Sequence, residues 1–142
     1  MREPLSTSQY MLYHALCQGS PATLNDLIER LQCEPYEWEV SVTYLAALAG
    51  RLEEKGYVRR EKVASGRRGQ PPTELEALVP LREVVRFETA RALRELAWGD
   101  RETLLMVREV VDEELAKERK SRLAAEARKG RPRQDGRTLR RG

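Results

Sequence analysis

Between Val42 and Val79 the hydrophobic spacing of this chain switches from helical to extended, with a sharp stop between the two. Leu45, Leu48, Ala49 and Leu52 fall at i, i+3, i+4 and i+7, which is one face of a helix. Gly56 follows Lys55, where a helix end needs a residue tolerant of positive φ. Tyr57-Val58 then opens a strand, and Thr73 to Val79 suits its return partner. Ser65-Gly66-Arg67-Arg68-Gly69-Gln70-Pro71-Pro72 lies between them, a turn-forming stretch with two arginines. The chain is therefore bound to place a helix directly before a hairpin with a basic tip.

Two shorter helices are expected upstream. Ser6 or Thr7 caps one through about Gln18, and Gly19-Ser20-Pro21 ends it. Thr23 caps a second from Leu24 to Gln32, with Leu24, Leu27, Ile28 and Leu31 as its apolar stripe. Asp26, three residues after Thr23, nearly completes a capping box. Glu34-Pro35-Tyr36 breaks the chain again, and the third helix is predicted from about Glu37 to Lys55. Three helices and a hairpin in this order make a winged helix-turn-helix, mostly α with a small β-hairpin (α+β), over residues 1–79.

Pro80 opens a different region. Leu81, Val85, Ala92 and Leu96 keep helical spacing, widened by Val84, Leu93 and Ala97. Trp98-Gly99-Asp100 reads as a junction, with Asp100 as the next N-cap, and Leu104, Val107, Val111 and Leu115 mark another apolar face. Two amphipathic helices beside a small domain need a partner to cover them. Residues 80–127 are thus expected to form a homodimer contact. The pattern turns highly charged from Lys117, and residues 128–142 are expected to be a disordered basic tail.

Charge placement is more telling than its sum. The chain has 142 residues and a net charge of +3. From Glu126 onward seven basic residues stand against two acidic ones, a surplus of five, so the remainder is net −2. Phosphate affinity must come from the tail and from a local patch of Arg59, Arg60, Lys62, Arg67 and Arg68. No apolar run approaches the ~18 residues of a membrane span, and no signal-peptide pattern opens the chain. A cytoplasmic protein with no membrane association is expected. Cys17 and Cys33 lack metal-ligand spacing.

Catalytic chemistry finds little to stand on. His14 is the one histidine, and it sits among aromatics in the first predicted helix. No nucleophile elbow, phosphate loop or metal pair is present, so neither enzyme activity nor a cofactor is expected. Double-stranded DNA is the better-supported partner. Thr43 and Ala47 point away from the apolar face of the third helix, flanked by Tyr44 and Arg51. Arg51 suits guanine O6 and N7, while Thr43 and Ala47 suit a thymine methyl. Ser41 near the helix start suits a phosphate. Against this, the predicted helix also carries Glu37, Glu39, Glu53 and Glu54. In the tail, Lys129-Gly130-Arg131-Pro132-Arg133 resembles an AT-hook, whose arginine lies in the minor groove of A·T-rich DNA; unspecific phosphate attraction is the alternative.

Residues 6–79 resemble bacterial winged-helix repressors. Arg51-Leu52-Glu53-Glu54-Lys55-Gly56-Tyr57-Val58 is similar to the step shared by PadR-like, MarR-like and penicillinase-repressor families, and Gly69-Gln70-Pro71-Pro72 is similar to the wing seen in several of them. The resemblance implies a sequence-specific, dimeric transcriptional regulator, in most cases a repressor, with dimer contacts in the C-terminal helices. The acidic Glu37-Trp38-Glu39 entry to helix three departs from the pattern, and a PadR-like aromatic-rich return strand is missing. The competing reading is a winged helix that docks on a protein of the transcription or replication machinery.

Overall fold

A computed structural model of the chain describes residues 2–62 and 72–130. In chain order its elements are α1 (Thr7–Cys17), β1 (Ala22–Thr23), α2 (Leu24–Gln32), α3 (Val42–Glu54), β2 (Val58–Lys62), β3 (Thr73–Ala77), α4 (Leu81–Ala97) and α5 (Arg101–Gly130). The chain divides into two compact units, residues 1–91 and 92–142.

In the first unit the caps act as expected. Ser6 Oγ accepts from the Gln9 N–H while Gln9 Oε1 accepts from the Ser6 N–H. Thr23 and Asp26 repeat this reciprocal pair at α2. Each box satisfies two of the backbone donors that a helix start leaves open. Gly56 adopts φ +84° at the end of α3 and turns the chain into β2. Strand β3 is the middle of a three-stranded antiparallel sheet ordered β1-β3-β2, with Arg59 opposite Glu76 and Lys62 opposite Thr73. The two-residue strand β1 is too short to show any period, and the sequence pattern gave no sign of it.

The core gathers the inner faces of α1, α2 and α3 against the sheet. Leu12, Leu16, Leu27, Leu31, Leu45, Leu52 and Leu75 are all fully buried, as are Tyr13 and Tyr57. The two tyrosine rings meet edge to face at 5.6 Å, an arrangement worth ~0.5–1.5 kcal/mol beyond the area buried. Tyr13 holds the chain after β3 through its hydroxyl, which accepts from the Val79 N–H at 3.0 Å and donates to the Val79 carbonyl. Burial pushes the Tyr13 phenol up to about 12.

Helix α3 starts later than the sequence pattern suggests, at Val42 rather than near Glu37. Glu37 takes φ +46°, a left-handed conformation that no helix interior accepts. The Trp38 N–H turns back to the Leu31 carbonyl at 2.7 Å, and Ser41 is the N-cap. The first turn of α4 also belongs to this unit, because Val84 is buried in its core and Leu81 packs against it. The division therefore falls after Arg91 and not at Pro80.

The second unit is helical. Trp98 and Gly99 both take positive φ at the expected junction. Asp100 caps α5, its Oδ2 accepting from the Thr103 N–H at 3.0 Å. Helix α5 continues through Arg128 and Lys129 to Gly130, so the start of the expected tail is helical. Arg128 and Lys129 in its last turn complement the negative end of the helix dipole. No helix among the described residues is long and apolar enough to cross a membrane.

Three helices, a short first strand and the antiparallel pair β2–β3 in this order define a winged helix-turn-helix fold. The α+β class agrees with expectation, and the order of elements does so apart from the added β1.

Candidate nucleic-acid interface

Helix α3 has two sides of opposite character. Leu45, Leu48, Ala49 and Leu52 are buried, which leaves Thr43, Tyr44, Ala47 and Arg51 exposed on the other side, while Val42 is exposed at the helix start. Of the candidates expected here, Thr43, Tyr44, Ala47 and Arg51 are thus exposed and separate from the core residues of the helix. Ser41 serves as N-cap, its Oγ accepting from the Tyr44 N–H at 3.1 Å. Its hydroxyl proton is still available for an acceptor such as a phosphate oxygen. The late start of α3 also removes Glu37 and Glu39 from the helix, so its acidic load is Glu53 and Glu54 at the far end.

The side chain that sequence reasoning missed is Val42. It is 49% exposed at the helix start, and Tyr44 is 48% exposed. Trp38, just before the helix, meets the Tyr44 ring edge to face at 6.1 Å and 88°. The helical period assigns Val42 to the core stripe, three residues before Leu45 and seven before Ala49, yet at the helix start the core does not cover it.

The hairpin arginines are less free than their sequence suggests. Arg59 forms an ion pair with Glu76 at 2.6 Å, directly across the β2–β3 ladder. The pairing raises the Arg59 pKa, chiefly through the hydrogen bond to that carboxylate. Arg60 gives three donors to Glu53 at the end of α3: Nε to Oε1 at 3.0 Å, the backbone N–H to Oε2 at 3.2 Å, and a terminal guanidinium nitrogen to Oε1 at 2.9 Å. Those hydrogen bonds hold the Glu53 carboxyl below its ordinary value. Glu53 therefore ties the wing strand to the helix that precedes it. Lys62 and Arg51 are exposed or nearly so and have no ion pair among the described residues. Of the patch foreseen from sequence, Arg59, Arg60 and Lys62 are thus together on β2, two of them already paired. Arg67 and Arg68 lie outside the described residues, as do Arg131 and Arg133; Lys129 is exposed in the last turn of α5.

Another polar contact is part-buried. His14 Nδ1 lies 2.6 Å from the Tyr36 hydroxyl, with the rings edge to face at 5.6 Å. This contact joins α1 to the turn that leads toward α3. Burial raises the Cys17 thiol, which disfavours the reactive thiolate. No group of three or more metal-ligating side chains occurs among the described residues.

No family model and no curated protein matches the chain. Several solved structures share its general arrangement. A complex structure of hsRosR-S4 is 18% identical, covers 80% of this chain and 91% of its own, and has a TM-score of 0.49. A disulfide-formed AbfR is 22% identical over 84% of this chain and 73% of its own, at 0.45. A MarR family protein from Bacillus stearothermophilus is 17% identical over 83% and 77%, at 0.43. At such identities and scores these likenesses carry no argument about ligand or assembly. The chain's own residues must supply it.

Proposed function

We propose that the protein is a sequence-specific, DNA-binding transcriptional regulator that acts as a homodimer, in most settings as a repressor. The observation that carries this reading is the two-sided α3. Its inner face is fixed in the core, while Thr43, Ala47 and Arg51 stand exposed on a rigid helix of 13 residues. Such a helix fits the major groove, and the hairpin behind it reaches phosphates. Lys62 and Arg51 supply free charge, and Arg59 and Arg60 supply charge that must first leave its carboxylate. Exposed ion pairs of this kind are worth only ~0–1 kcal/mol, so a phosphate displaces them at little cost.

The dimer reading rests on the second unit. Leu104, Leu105, Met106, Val110, Val111, Leu115 and Leu123 of α5 are all exposed large apolar side chains. Leu104, Val111 and Leu115 recur on one face of α5, and an exposed apolar stripe of this kind supports an interface with another protein chain.

The test is duplex binding by the full chain, measured by fluorescence anisotropy at several salt concentrations. Neutralising about three to five phosphates should give a log–log salt slope of about −3 to −4.5. A flat salt response, or no binding near 50 mM salt, rejects the DNA reading and favours docking on a protein partner.

A further inference from the structure

We infer that α3 reads its site through thymine methyl groups, with Val42 as a specificity-determining residue and an A·T-containing major groove as its ligand. This deepens the DNA-binding proposal above and rests on it. The exposed side of α3 carries almost no hydrogen-bonding reach. From Val42 to Glu54 it has no Asn, Gln or Lys, and its long donor is Arg51. Bidentate recognition of adenine needs Asn or Gln, and recognition of guanine needs Arg or Lys. Over the first two turns of α3 the exposed side chains are instead Val42, Thr43, Tyr44 and Ala47, which offer methyl groups, one ring and only two short-reach hydroxyls.

The N-terminal turns of such a helix are the part that meets base edges. Val42 is half exposed there, although a valine on a helix surface gains nothing from water. The Tyr44 ring is steadied by the edge of Trp38, and Trp38 itself packs on the core of the first unit. The start of α3 thus presents exposed apolar groups, one of them held in place by a neighbouring ring. In a duplex the C5-methyl of thymine is the one apolar group on the major-groove edge of any base pair. Arg51, two turns beyond Thr43, then adds a guanine contact at one end of a methyl-rich site.

The wing and tail cannot imitate this preference. The minor groove offers A·T pairs no methyl group, so a Gly130-Arg131-Pro132 contact there is blind to the exchange of thymine for uracil.

The experiment uses that exchange. The tightest sequence recovered by the full-length protein from a random duplex pool is resynthesised with deoxyuridine in place of every thymidine. Both duplexes are titrated with wild type and with Val42→Ala, a substitution at an exposed helix position where alanine is well tolerated. Each contacted methyl removed should weaken wild-type binding about fourfold. The ratio of the two affinities should shrink toward one in Val42→Ala, while Arg51→Ala lowers affinity for both duplexes and keeps the ratio. Equal wild-type affinity for the two duplexes, with salt-sensitive binding intact, overturns the methyl reading and leaves DNA binding standing. A loss on uracil that Val42→Ala does not change overturns the assignment to Val42. Failure to recover any duplex from the pool overturns both proposals.

Discussion

The two compact units solve the same physical problem differently. Residues 2–91 bury their apolar side chains against one another, with seven leucines and two tyrosines fully enclosed. In the second unit α5 has no buried residue at all over 30 positions. Leu96, Trp98 and Leu115 there are 62%, 84% and 60% exposed. Hydrophobic burial is the main favourable term in folding. The first unit therefore has its own reason to fold, whereas the second is helical by propensity and caps and keeps its apolar surface for something else. Binding proteins built this way separate a rigid reading head from an assembly surface.

The comparison is broken most forcefully by truncation of buried side chains. Leu75→Ala in the central strand β3 should cost about 2–5 kcal/mol in urea unfolding. In a monomeric protein, Leu115→Ala on α5 should change stability by less than about 0.5 kcal/mol. If Leu115→Ala costs as much as Leu75→Ala, its face is covered by a partner, and the apparent contrast between the units dissolves on assembly.

The assembly itself is tested by charge. Val111→Glu with Leu115→Glu should convert a dimer to a monomer in sedimentation velocity, since an unpaired carboxylate buried in an interface costs several kcal/mol. The head should retain its near-ultraviolet tyrosine signal in that monomer. A dimer that survives the double substitution places the interface elsewhere, and a monomeric wild type refutes it.

The caps sharpen the contrast at a smaller scale. Ser6→Ala and Thr23→Ala should each lower global stability by about 1 kcal/mol, because α1 and α2 are part of one cooperative core. Asp100→Ala removes a cap of the same kind from α5. It should raise local hydrogen exchange in the first turns of α5 while leaving the unfolding midpoint of the head unchanged. A shift of the head's midpoint would show that the units are coupled.

The smallest expected effect is acidic. Asp26 and Glu53 both have depressed carboxyl pKa values, Asp26 through the Thr23 backbone N–H and hydroxyl, and Glu53 through the Arg60 guanidinium. A carboxyl whose folded pKa lies below its unfolded one stabilises the fold above the unfolded value. That contribution is lost as pH falls through the folded value. The head should thus be flat in stability from neutral pH down to the ordinary carboxylate range and weaken only below it. Glu53→Gln should remove part of that acid dependence and leave the wing amides less protected from exchange. An unchanged acid limb would mean the Glu53–Arg60 contact contributes nothing measurable.

Much of this architecture is local and therefore legible from residue order. Apolar spacing identified the core faces of α2 and α3, because the helical period alone places Leu27 with Leu31, and Leu45 with Leu48 and Leu52, on one side; for α1 it did not single out Leu12 and Leu16, which are buried there. Caps and stops were readable because Ser6, Thr23, Asp100 and Gly56 act on groups within three or four residues of themselves. The start of α3 was not legible. Glu37-Trp38-Glu39 has acceptable helix formers, and it is the Leu31 carbonyl, brought close by the packed core, that captures the Trp38 N–H and keeps the segment extended.

Tertiary structure alone decided what the candidate site has to offer. Arg59 and Arg60 look like two free cations in a row of residues, yet strand alternation and register place one across from Glu76 and bring the other to Glu53. Such pairings join residues 17 and seven positions apart, and no rule of neighbouring residues encodes them. Val42 is a surface residue because the core buries α3 only from Leu45 onward, although its spacing matches the buried stripe. Residue order determined which segments become helix, stop and strand, since those choices are made over one or two turns. Which charges remain free and which apolar groups face outward was settled by packing, since that depends on segments distant in the chain meeting at one core.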